Sequence, residues 1–134
     1  MVVLSRKFIR FSGVGAVNTL VGLLVIFGTK AFLYDNDVVA NAWGYVTGLC
    51  VSFLLNKTWT FQDRGPVLPG FLRFLTVFAI SYSVNLGTVL FCIDWLNMNS
   101  YLAQALGIPP YTITFFLLCK YHVFVPVETA RRTS

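Results

Sequence analysis

Apolar residues in this chain gather into long uninterrupted runs instead of alternating with polar ones. The stretches Phe11 to Thr29, Val38 to Asn56, Phe74 to Ile93 and Trp95 to Cys119 contain no Asp, Glu, Lys, Arg or His. At about 1.5 Å of rise per residue, each is long enough to cross a hydrocarbon core of about 30 Å as a helix. Membrane-spanning strands would instead alternate in segments of about ten residues, because only one face of a barrel wall meets lipid. The pattern predicts an all-α integral membrane protein with four transmembrane helices, over about 9–33, 38–60, 71–95 and 101–124.

Composition agrees, with 57% hydrophobic and only 11% charged residues and a mean hydropathy of +0.73, values outside the range of ordinary soluble domains. The few charges fix an expected orientation. Arg6, Lys7 and Arg10 precede the first span, Lys57, Arg64 and Arg73 lie between the second and third, and Lys120, Arg131 and Arg132 follow the fourth. The positive-inside rule makes that side cytoplasmic, so both termini are expected in the cytoplasm, with Lys30, Asp35, Asp37 and Asp94 at the outer turns. The first span follows basic residues as a signal peptide does, but its run is long and no small-x-small site closes it, so it is expected to be retained. The basic balance is explained by topology and anionic lipid, and no nucleic-acid partner is implied.

The second regularity is a repeat at an offset of 63 residues. FLLNKTWTF at 53–61 is echoed by FLLCKYHVF at 116–124. Phe8-Ile9-Arg10-Phe11 matches Phe71-Leu72-Arg73-Phe74, and Ala40-Asn41-Ala42-Trp43-Gly44 matches Ala103-Gln104-Ala105-Leu106-Gly107, both at that offset. The 134 residues are therefore expected to form a single transmembrane domain built from two parallel two-helix repeats, about 8–61 and 71–124. Two spans per copy return the chain to its starting side, so both copies share one orientation. In the second span Asn41, Gly44, Gly48, Ser52 and Asn56 fall on one arc of about 120°. In the fourth, that arc becomes Gln104, Gly107, Tyr111, Phe115 and Cys119, and Pro109-Pro110 are expected to kink the helix.

These residues point away from enzyme chemistry. His122 has no Ser, Cys or carboxylate partner at a suggestive spacing and reads as an interfacial residue. Cys50, Cys92 and Cys119 have no paired spacing, so neither a metal site nor a cofactor is expected, and no P-loop is present. What the spans offer is cations and amides. Arg10 and Lys57 in the first copy correspond to Arg73 and Lys120 in the second. Lys and Arg commonly anchor helix ends at the interface. Matched in pairs and flanked by Asn56, Trp59, Tyr121 and His122, these four cations could also hold a phosphate against lipid tails, Arg as a fork and Lys as a point charge. Asn18, Asn41, Asn56 and Asn85 either bond across packed helices or line a shared polar groove. Glycine-bearing faces and the small volume that four helices enclose point to a homodimer or higher oligomer.

The segments FIRFSGVGAVNTLVGLLV, ANAWGYVTGLCVSFLLNKTWTF, FLRF and FFLLCKYHVF together resemble the GtrA-like family of small four-helix membrane proteins, over about Lys7 to Phe124. The most specific matches are Arg10, Phe11, Gly15 and Asn18 in the first span, and Phe53, Asn56, Lys57, Trp59 and Phe61 at the end of the second. Two departures stand out: Cys119 and His122 replace Asn56 and Trp59 in the second copy, and Thr60 stands where related sequences often have Val. The resemblance implies a non-enzymatic, multi-pass protein of the bacterial inner membrane that moves a polyprenyl-phosphate-linked monosaccharide between leaflets for cell-surface polysaccharide. Arg10, Lys57, Arg73 and Lys120 would then take the phosphate, and Asn18, Asn41, Asn56, Trp59 and Asn85 the sugar and phosphate in transit. Other classes of function are a membrane scaffold that recruits a polyprenyl-phosphate glycosyltransferase, and a small proton-coupled exporter. The latter is disfavoured by the absence of any acidic residue within the spans.

Overall fold

In hydrocarbon no water is present to bond backbone N–H and C=O groups, so a spanning segment must satisfy them within itself as a helix. The computed structural model describes residues 1–32 and 37–125. Four helices make up nearly all of it: α1 (Val2–Phe32), α2 (Asp37–Leu55), α3 (Val67–Asp94) and α4 (Ser100–Leu118). Among the described residues there are no strands, and four helical stretches are long and apolar enough to cross a membrane. The chain is a multi-pass, all-helical membrane protein. Asp35, Arg131 and Arg132 of the expected topology lie outside the described residues, as does the side chain of Asp37.

The helix ends differ from the expected ones in two ways. Helix α1 begins at Val2, so its first turns carry Arg6, Lys7 and Arg10 ahead of the apolar run. Helices α2 and α4 both widen at their ends into π-helical segments, Asn56–Thr60 and Cys119–Val123. In each, the amide of the closing phenylalanine donates five residues back, Phe61 to the Asn56 carbonyl and Phe124 to the Cys119 carbonyl, both at 2.9 Å. These paired bonds stand 63 positions apart, so a backbone irregularity recurs at the offset of the sequence echo. Helix α4 runs unbroken from Ser100 to Leu118 through Pro109 and Pro110. Asn99 caps its start, its side-chain oxygen accepting from the Tyr101 amide at 2.8 Å.

Two compact units divide the chain, Met1–Arg64 and Gly65–Ser134. The first packs α1 against α2 and the second α3 against α4. Buried positions recur at the repeat offset: Phe11 and Phe74, Val14 and Val77, Ala40 and Ala103, Phe53 and Phe116, Phe61 and Phe124. Helices in lipid gain nothing from hiding apolar surface from each other, so pairing relies on close contact and on small residues that permit it. Gly44 and Gly107 supply it at matched positions. A Cβ on Gly44 would collide with Ile26 and stand 3.1 Å from the Gly22 carbonyl. One on Gly107 would stand 2.5 Å from Asn85 Nδ2 and 2.9 Å from Val89. Outward faces carry lipid-facing apolar side chains such as Leu20, Leu24 and Phe27 on α1 and Leu86 and Leu90 on α3, all exposed.

Gly44→Ala and Gly107→Ala should therefore each lower stability by about 1–3 kcal/mol through overpacking. Gly87→Ala, whose Cβ meets nothing within 4 Å, should cost nothing; thermal unfolding in mild detergent measures the contrast.

Candidate functional site

Each hairpin brings the start of its odd-numbered helix beside the end of its even-numbered one, and the matched cations collect there. In the first unit Arg10 and Trp59 meet. The Arg10 Nη1 donates to the Trp59 carbonyl at 3.2 Å, and its guanidinium lies 5.5 Å from the centroid of the Trp59 ring. The two were expected to serve different parts of a ligand; here they stack on each other, an arrangement that favours Arg over Lys. Phe11 and Phe61 pack edge-on just inside, at 6.3 Å between ring centroids, and Lys7 Nζ lies 5.9 Å from the Phe61 ring.

Lys57 does not offer a bare ammonium. It is buried and forms an ion pair with the Asp63 carboxylate, itself nearly buried. The chain returns to make that pair by a sharp bend in which Gln62 adopts a left-handed conformation with φ 52°, and the Asp63 amide donates to the Lys57 carbonyl at 2.8 Å. Sequence reasoning overlooked Asp63. Its signal was present, since it is the one Asp or Glu between Asp37 and Asp94 and stands among cations.

The asparagines fall on the inner seam of each hairpin. Asn18 of α1 faces Gly48 of α2, where a Cβ would come within 2.9 Å of its side-chain oxygen. Below Gly48 on the same arc, Asn56 Nδ2 donates to Ser52 Oγ at 3.4 Å. The side-chain oxygens of Asn18, Asn56 and Thr60 are buried with no hydrogen-bond partner. Asn18, Gly48, Ser52, Asn56 and Thr60 thus make a polar seam inside the first unit, ending at the buried Lys57. Asn41 is exposed, near the other end of α2. In the second unit Asn85 lies against Gly107, but the rest of the seam is aromatic: Tyr111 and Phe115 stand at 5.5 Å, and Phe74 and Phe115 at 5.1 Å, between ring centroids.

The second unit's cationic end is also built differently. Lys120 Nζ lies 4.6 Å from the centroid of the Tyr121 ring and donates to its hydroxyl at 3.1 Å. Arg73, near the start of α3, is exposed and shares an open-sided cleft with His122, expected from the sequence as an interfacial residue flanking the matched cations. Of the cysteines, Cys92 and Cys119 are buried and Cys50 is exposed. No cluster among the described residues could hold a metal ion.

The family described as GtrA/DPMS, transmembrane domain, matches residues 10–124. The chain belongs to that family. Among curated proteins and solved structures, nothing matches it. Membership in the GtrA/DPMS transmembrane family places the protein among membrane proteins of carrier-lipid-linked sugar processes, and the matched span includes both cationic ends and the whole polar seam.

Two stability measurements test this geometry. Asp63→Asn leaves the buried Lys57 charge uncompensated and should cost about 3 kcal/mol, most of it recovered in the double variant Lys57→Met/Asp63→Leu. Thr60→Val removes a buried unsatisfied hydroxyl and supplies the residue found at the matching position 123. It should raise the unfolding midpoint, by the equivalent of about 1 kcal/mol.

Proposed function

We propose that this protein translocates a polyprenyl-phosphate-linked monosaccharide across the bacterial inner membrane, without catalysing a covalent step and with both termini in the cytoplasm. The observation that carries the reading is the pairing of interfacial cations with buried amides: each hairpin ends in a cation-bearing π-helical segment, and in the first the hydrogen-bonding side chains of Asn56, Ser52 and Asn18 continue from it into the apolar length. A phosphate leaving water loses its hydration and needs charged donors, whereas the polyprenyl tail stays in lipid throughout. Arg10, Lys57, Arg73 and Lys120 supply charge at the cytoplasmic face. Asn18, Asn41, Asn56, Trp59 and Asn85 supply exchangeable hydrogen bonds for sugar and phosphate, in a track that a homodimer or higher oligomer completes. Flow follows from synthesis of the substrate inside and its consumption outside.

One observation favours the scaffold reading instead. The amides of Asn18 and Asn85 face glycines within their own hairpins, as packing residues would, leaving the protein to hold a polyprenyl-phosphate glycosyltransferase. Reconstitution separates the two. Proteoliposomes containing the protein should exchange a fluorescent short-chain polyprenyl-phosphate sugar between leaflets at least about tenfold faster than empty vesicles, equivalent to about 1.4 kcal/mol off the barrier. Equal rates, from protein with its full helix content, would leave the scaffold reading.

A further inference from the structure

The copies resolve the same positions in opposite ways. In the first, Trp59 covers Arg10 and Asp63 compensates Lys57. At the repeat offset the second copy has His122 in place of Trp59 and Pro126 in place of Asp63. His122 borders a cleft of about 370 Å³, lined also by Arg73, Thr76, Val77, Ile80 and Leu118. Among the described residues, Arg73 and His122 make no hydrogen bond, ion pair or ring contact. No carboxylate lines the cleft. The Thr76 hydroxyl already donates to the Leu72 carbonyl at 3.1 Å, which leaves it only as an acceptor.

We propose that this cleft seats a phosphate ester carried on a lipid tail. Arg73 presents a planar fork that fits two phosphate oxygens, and the His122 imidazole adds a donor from the facing helix. Ile80 lies seven residues beyond Arg73, about 10 Å further along α3. With Val77 and Leu118 it forms an apolar wall leading away from the cationic end, a surface that takes hydrocarbon and gives nothing to a free anion. At the matching end of the first copy Trp59 lies over Arg10 and Asp63 pairs with Lys57, so that end takes a phosphate only after these contacts give way. The chemistry of the seat is shared by any lipid phosphate; its assignment to polyprenyl phosphate rests on the translocation proposed above.

Binding of a radiolabelled short-chain polyprenyl phosphate to the full chain in phosphatidylcholine nanodiscs tests the seat. Saturable binding is expected, with poor competition by inorganic phosphate and by neutral polyprenol. Arg73→Ala, and His122→Trp, which fills the cleft as Trp59 fills its counterpart, should each weaken binding about tenfold or more. Arg6→Ala should not. Helix content and unfolding midpoint confirm that the variants fold, and Arg73→Lys, which keeps charge but loses the fork, should fall between. Competition by phosphatidylglycerol equal to that by polyprenyl phosphate supports the seat and makes ordinary anionic lipid its occupant. Undiminished binding in both Arg73→Ala and His122→Trp overturns the proposal, as does equal competition by inorganic phosphate. Intact binding by a protein that gives no leaflet exchange sinks translocation and leaves the seat standing. Leaflet exchange with binding unchanged in both variants does the reverse.

Discussion

Each hairpin depends on two helices approaching closely where no hydrophobic force drives them together. In water, α1 and α2 would associate by hiding leucines; in lipid those leucines are equally at ease on either side, and van der Waals contact must hold the pair. Contact of that kind weakens steeply with distance, so the positions of closest approach govern the rest. Gly44 lies under Ile26 and the Gly22 backbone, and Gly107 lies under Asn85 and Val89. With those contacts fixed, the register along each seam is fixed, and with it the place where the helix ends meet.

Close approach also determines what the seams can contain. Beyond Gly44 the first unit keeps small polar residues, Gly48, Ser52, Asn56 and Thr60, and α1 sends one amide, Asn18, into the space. Three oxygens there are buried without partners, an unusual burden in a native interior and a sign that the seam is not optimised for stability alone. The second unit replaces the same positions with Tyr111, Phe115, Cys119 and Val123, and its interior becomes a ring cluster. The amide on its odd-numbered helix sits one turn further along, at Asn85, where it meets Gly107. The two units thus share their π-helical ends while their seams differ in polarity.

Much of this was legible in the sequence, because hydrocarbon imposes simple rules. Uncharged runs gave the four spans, and of the residues that helical spacing puts on one arc of α2, Gly44, Gly48, Ser52 and Asn56 face inward while Asn41 is exposed. The family resemblance, carried by Arg10, Phe11, Asn18, Asn56, Lys57 and Trp59, was also sound. The widening of both helix ends left no compositional mark, since a π turn adds one residue without changing hydropathy. The Lys57–Asp63 pair was hidden because it needs a left-handed bend at Gln62, a position with no glycine to announce it. Arg73 and His122 stand 49 positions apart, and a cleft between them follows only from the packing of α3 on α4.

Charge compensation decides how the two cationic ends differ. An anion approaching Lys57 must displace the Asp63 carboxylate or join it in a nearly buried place, where like charges repel strongly and desolvation is costly. Among the described residues no carboxylate lines the cleft at Arg73, and an anion there meets an exposed fork. Of the four cations in matched positions, Arg10, Lys57, Arg73 and Lys120, only Lys57 is paired with a carboxylate among the described residues. Asp63 and Trp59, replaced by Pro126 and His122 at the repeat offset, are the two residues that cover the first end's cations. Two hairpins of similar backbone thus hold their matched cations differently, one end tied together by its own side chains and the other exposed.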